Sequence, residues 1–165
     1  MFTGLLDVDD QSKAISNLTF TGSARNDSQP TLYHWCFYAA IPTSSSGVLF
    51  DITPGADGQT AVLIICSKSS PVTTAADHSS FRVTLNVEYT IRQLMDWIAT
   101  NQLDRYMFTS EGTGCRFWCA EVLKRLEGDR ILPAGSTDKF VSFLASESKL
   151  KPISVPEVAG EGIFY

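Results

Sequence analysis

Residues 31–66 read TLYHWCFYAAIPTSSSGVLFDITPGADGQTAVLIIC, a stretch that parses into three strands and two short connections. Thr31 to Ile41 is rich in aromatic and small apolar residues, which fit a pleated, half-buried surface. It stops at Pro42, which has no N–H to give to a ladder. The TSSSG loop, Thr43 to Gly47, leads into a second strand, Gly47 to Thr53 (GVLFDIT), which ends at Pro54-Gly55. Asp57-Gly58 supplies a hairpin-type turn into a third strand, Gln59 to Cys66. Successive strands with short connections pair as antiparallel neighbours, so this stretch predicts an antiparallel meander.

Working outward, Ser16 to Ser23 (SNLTFTGS) alternates Leu18 and Phe20 with polar residues and reads as a further strand. Arg25 to Pro30 reads as a polar turn, and residues 1–15 as a loose lead-in. Ser67 to Ser80 (SKSSPVTTAADHSS) is a long low-apolar connection, a loop over a site or a solvated link. Phe81 to Val87 (FRVTLNV) alternates again. The period then changes from two to 3.6. Thr90 suits an N-cap ahead of Ile91, Leu94, Met95 and Ile98. Tyr106 to Phe108 is short and extended. A second helix is expected to start near Cys115, with Val122, Leu123 and Leu126 on one face and Gly128 at C′. A third covers roughly Thr137 to Ser146, with Phe140, Phe143 and Leu144 inward. The tail, 152–165, docks or frays. The expectation is one α+β domain over 1–165, an antiparallel sheet packed against about three helices.

The chain has 165 residues, enough for one domain with a sizeable core. Eighteen acidic residues against thirteen basic ones give a net charge of −5, which argues against a phosphate-backbone partner and so against nucleic acid. No basic n-region and apolar h-region open the chain, and the longest apolar run, Ala61 to Cys66, is too short to span a membrane. Thiols rather than disulfides are then expected for the four cysteines, in a cytoplasmic protein. The two histidines, His34 and His78, cannot build a three-histidine metal site. With no P-loop, GxGxxG or GxSxG either, neither cofactor nor metal is expected.

Chemistry concentrates in Ser110 to Cys119, SEGTGCRFWC. Gly112 and Gly114 permit a tight turn, and Cys115 falls at the first turn of a helix. Unsatisfied amides and the positive end of the helix dipole favour a thiolate there and can hold an oxyanion. Alternatively, Cys115 is a small buried helix residue. His34, among aromatics on a strand, is costly to bury unless its ring nitrogens are paired. It is a base for Cys115 or a core histidine bonded to backbone. Asp51, a charge within VLFDI, falls near the level of His34 to Phe37 if the strands pair. It then orients the imidazole, or else it faces water at an edge. His78, in the Ser-rich stretch, reads as exposed. Substrate contacts are expected from Trp35, Tyr106, Gly114, Arg116 and Trp118. Arg116 and Glu111 flank the cysteine and would hold a carboxylate or carbonyl, or form a surface pair.

The order of these elements, a His-Trp strand, then an Asp-bearing strand, then a Gly-Cys helix start, resembles circularly permuted papain-like thiol enzymes. Lecithin:retinol acyltransferase-like and PPPDE-type proteins are examples. That resemblance implies hydrolase or acyltransferase activity with His34 and Cys115 at the matching positions. More closely, His34-Trp35 with Gly114-Cys115-Arg116-Phe117-Trp118 is similar to a domain of unknown function common in filamentous fungi, sometimes beside biosynthetic gene clusters. This likeness spans much of Leu32 to Leu126 and implies a shared fold.

The function expected is a small cysteine-dependent hydrolase or acyltransferase acting on a small molecule or peptide. Two alternatives stay open. One is a non-catalytic small-molecule-binding domain or pseudoenzyme lined by Tyr33, Trp35, Tyr106, Phe117 and Trp118. The other is a biosynthetic cyclase, lyase or isomerase with His34 as acid or base.

Overall fold

A computed structural model describes residues 1–24, 32–42, 46–70 and 78–165. The Arg25 to Pro30 turn, Thr31, residues 43–45 of the TSSSG loop and residues 71–77 of the Ser-rich stretch lie outside them. The chain runs β1 (Phe2–Leu5), a 3-10 turn (Val8–Ser12), β2 (Asn17–Ser23), β3 (His34–Ala40), β4 (Gly47–Pro54), β5 (Ala61–Lys68) and β6 (His78–Thr84). Then follow α1 (Ile91–Thr100), β7 (Tyr106–Met107), α2 (Cys115–Gly128), α3 (Ser136–Leu150) and β8 (Ile163–Phe164). The fold is α+β.

The expected meander is present: β3, β4 and β5 pair antiparallel in sequence, and β2 continues the sheet beyond β3. The six strands stand in the order β1-β5-β4-β3-β2-β6. Two differences from the sequence reading concern the sheet's edges. The lead-in is not wholly loose, because Phe2–Leu5 pairs parallel with β5 and makes the sheet mixed. Its residues are all exposed, so no inward-outward alternation marks it as a strand. At the other edge, β6 starts earlier than Phe81. Its register against β2 runs from Ser23↔His78 to Asn17↔Thr84, so ladder partners rather than apolar alternation set its limits.

One face of the sheet carries an aromatic row. Phe20, Phe37 and Phe50 occupy paired positions on β2, β3 and β4 and are fully buried. Phe37 stacks on Phe50 at 4.8 Å, and Phe20 meets Phe140 of α3 at 5.5 Å. Trp35 lies over Gly22, where a Cβ would collide with the indole, and it meets Phe140 edge-on. Side chains of this size contribute roughly 3–5 kcal/mol each when compared with alanine.

The helices follow their sequence signals closely. Thr90 caps α1 through the Gln93 N–H, and the Gln93 side chain accepts from the Thr90 N–H. Such a capping box contributes about 1 kcal/mol. Ile91, Leu94, Met95 and Ile98 are the buried stripe. In α2, Trp118, Val122, Leu123 and Leu126 face inward. Gly128 is not at C′; the helix runs through it, and the left-handed residue is Arg130, φ 61°. The tail docks: β8 pairs with β7.

Candidate active site

The packing of α2 on β3 decides where Cys115 goes. The Trp118 indole stacks on Phe37 at 5.8 Å and donates its Nε1–H to the Leu103 carbonyl at 2.7 Å, which fixes the rotation of the helix. Residues three apart share a helix side, so Cys115 lies one turn before Trp118 on the same side. Trp35 lies two residues before Phe37 on the strand. The two arrive together: the Trp35 backbone N–H donates to Cys115 Sγ at 3.3 Å.

His34 is the first residue of β3. The β3–β4 register, Phe37↔Phe50, puts Asp51 one step further toward the start of β3. From there it reaches His34 diagonally. His34 Nε2 and Asp51 Oδ1 are hydrogen-bonded, and His34 also hydrogen-bonds the Cys115 thiol. With Nε2 engaged by Asp51, Nδ1 is the nitrogen left for the sulfur. The structure thus brings together His34, Asp51 and Cys115, which are separated by 17 and 64 positions in the chain.

The electrostatics follow from this contact. Burial opposes a charged His34 ring, but the hydrogen bonds to Asp51 and Cys115 outweigh it and raise the imidazole to about 9. Burial likewise opposes a Cys115 thiolate. The His34 hydrogen bond and charge, with the N–H groups of Trp35 and Arg116, outweigh that and hold the thiol below its ordinary value. Both shifts favour an imidazolium–thiolate pair near neutral pH.

The N-terminal end of α2 adds to it. The N–H groups of Cys115, Arg116 and Phe117 lie in the first turn, where no intrahelical acceptor exists. Gly114, at the N-cap, supplies no capping side chain. The Arg116 N–H turns to the sulfur, which leaves the Cys115 N–H for a developing oxyanion. Gly114 is required here. Its φ is 139°, and a Cβ would overlap the Tyr106 hydroxyl. That hydroxyl donates to the Gly114 carbonyl at 2.9 Å and accepts from the Gly162 N–H at 3.0 Å, tying the cysteine turn to the tail.

Beside the sulfur is a cleft of about 420 Å³. His34, Trp35, Gly114, Cys115 and Arg116 line it, with Tyr33 and Phe108 as apolar walls. Its far wall comes from the tail, Ser154 to Gly160, anchored where the Tyr33 N–H donates to the Ser154 carbonyl at 2.9 Å. Sequence reasoning missed this wall. Its one signal is Pro152 and Pro156, which keep the segment from continuing α3.

Two expected substrate contacts are corrected. Tyr106 and Trp118 are fully buried and do not line the cleft. The Tyr106 phenol is engaged by Gly114 and Gly162, and the Trp118 indole by Phe37 and Leu103. Phe117, expected in the pocket of a binding domain, lines a second cavity instead. Cys36, Cys66 and Cys119 are buried and form no disulfide among the described residues, and His78 is exposed at the start of β6. Among the described residues no cluster of three or more His, Cys, Asp or Glu is placed to hold a metal ion, and no helix is long and apolar enough to cross a membrane.

No curated protein and no solved structure matches the chain. A family model does match, over residues 18–165, a range that takes in every residue of the cleft and of the His34–Asp51–Cys115 contact. The chain therefore belongs to the family described as a domain of unknown function (DUF7770).

Proposed function

We propose that the protein is a cysteine-dependent hydrolase or acyltransferase for a small molecule or peptide. Cys115 is the nucleophile, His34 the acid–base and Asp51 its orienter. The observation that carries the reading is the His34 contact to both Asp51 and Cys115 at the mouth of a cleft. Cys115 Sγ attacks the carbonyl carbon, a C–S bond forms, and the oxygen takes the negative charge opposite the Cys115 N–H. Collapse breaks the bond to the leaving group, which departs with the His34 proton. Water or another nucleophile then attacks the thioester and gives its proton to His34, and the Cys115 thiolate is restored. The order of the three residues along the chain supports kinship with permuted papain-like enzymes. The likeness to fungal proteins encoded near biosynthetic genes supports a small-molecule substrate. A reducing cytoplasm would keep Cys115 a thiol.

The two other readings need less. A binding domain needs no activated thiol, and an isomerase or lyase needs His34 but no covalent intermediate. Intact-mass measurement after exposure to p-nitrophenyl acetate separates them. An acetyl group on Cys115, absent in Cys115→Ala, is expected. Release of p-nitrophenol without an adduct, or with equal adducts in both proteins, would overturn the proposal.

A further inference from the structure

Arg116 is only 8 % exposed, yet its guanidinium has no hydrogen bond or ion pair to a side chain among the described residues. An arginine this buried is ordinarily paired, because desolvating a lone cation is costly. The carboxylates nearest in the lining leave it alone. Glu111 is exposed on the rim and takes the Ser110 hydroxyl at 2.6 Å, while Glu157 shares the second cavity with Arg116 but forms no ion pair with it. Arg116 lines both that cavity, of about 490 Å³, and the cleft beside Cys115. The one opposite charge acting on it among the described residues is the Cys115 thiolate. That charge is lost when the sulfur becomes a thioester. At the acyl-enzyme stage Arg116 then has no anion, unless the acyl group brings one.

Building on the thiol-enzyme reading, we infer that the substrate is a carboxylate-bearing acyl compound whose carboxylate pairs with Arg116 while its carbonyl meets Cys115. A planar guanidinium fits a carboxylate as a bidentate partner. Among the described residues Arg116 is the one lysine or arginine lining the cleft, in a chain of net charge −5, and one guanidinium suits a monoanion better than a doubly charged phosphate. The walls, Tyr33, Phe108, Pro156 and Val158, suit an apolar remainder.

Two alkylating probes differ in just this feature. Iodoacetate carries a carboxylate and iodoacetamide does not; both form a C–S bond at Cys115 and release iodide. The ratio of their rates at Cys115, by mass spectrometry, is expected to fall about tenfold in Arg116→Gln, the loss of one charge-assisted contact. Arg116→Lys should restore part of it. In the unaltered protein hexanoate should slow labelling by iodoacetamide, and hexanamide at equal concentration should not. This second arm holds even if Arg116→Gln fails to fold. A rate ratio unchanged in a folded Arg116→Gln, or equal protection by hexanoate and hexanamide, would overturn the inference while leaving a fast Cys115 and the thiol-enzyme reading intact. Stronger protection by hexyl phosphate than by hexanoate would overturn the carboxylate assignment. If Cys115 is slow toward both probes, the enzyme reading fails, and calorimetry decides the carboxylate separately. Hexanoate binding that disappears in Arg116→Gln supports it, and no binding overturns it.

Discussion

Cys115 and Cys119 are the same residue, one turn apart on one side of one helix, and their surroundings are opposite. Cys115 sits at the first turn with His34, the Trp35 N–H and the Arg116 N–H against its sulfur, and its thiol is held low. Cys119 is fully buried, and burial pushes its thiol well above the ordinary value, with Cys36, Cys115 and Asp51 adding to the rise. The difference between the two thiols therefore comes from the helix terminus and from β3, not from the residue type. A sulfur moved one turn into the helix loses the free amides and the imidazole together.

The largest effect expected from this contrast is in native labelling. Cys115 should react with iodoacetamide at least about a hundredfold faster than Cys119, which must wait for local opening. Comparable rates by peptide mapping would break the contrast outright. Next is the turn that presents Cys115. Gly114→Ala places a side chain at φ 139° and against the Tyr106 hydroxyl. It should lower stability by about 2 kcal/mol in urea unfolding, from strain at such a backbone; an unchanged midpoint would show that the turn relaxes freely. His34→Ala removes the cation and hydrogen bond that lower the thiol. It should slow Cys115 labelling at pH 7 about tenfold while leaving Cys119 untouched. A parallel change at both cysteines would instead indicate general loosening. Smallest is Tyr106→Phe, which deletes the bonds to Gly114 and Gly162 and should cost about 1 kcal/mol. Its sharper signature is labelling of Cys115 that falls without any gain at Cys119.

Much of this was legible from residues with local consequences. Thr90 with Gln93 marks the start of α1, the glycine before Cys115 marks the start of α2, and Pro42 and Asp57-Gly58 punctuate the meander. The scarcity of histidine points to His34 as the partner of Cys115. What stayed hidden depends on neighbours distant in the chain. Phe2–Leu5 carries no burial pattern because it is an exposed edge strand defined only by β5. Tyr106 and Trp118 look like pocket aromatics, since an aromatic residue fits a cleft wall or a core equally well until its polar atom finds a partner. The tail wall depends on contacts with distant parts of the chain, the Tyr33–Ser154 backbone bond and the Gly162–Tyr106 bond among them. The Asp51 contact required the β3–β4 register, which periodicity constrains but does not fix.

The central claim is that Cys115 is a thiolate held by protonated His34. The rate of its alkylation by iodoacetamide as a function of pH, followed by mass spectrometry in the native and the urea-unfolded protein, tests this most directly. In the native protein the rate should rise at lower pH than in the unfolded chain and exceed it near pH 7, because the thiol is lowered while His34 keeps its proton up to about 9. In acyl transfer the same series should show activity falling through about 9, as His34 loses the proton needed by the leaving group. A native rate that rises only with the midpoint of an ordinary thiol, no faster than the unfolded chain near pH 7, would contradict the account.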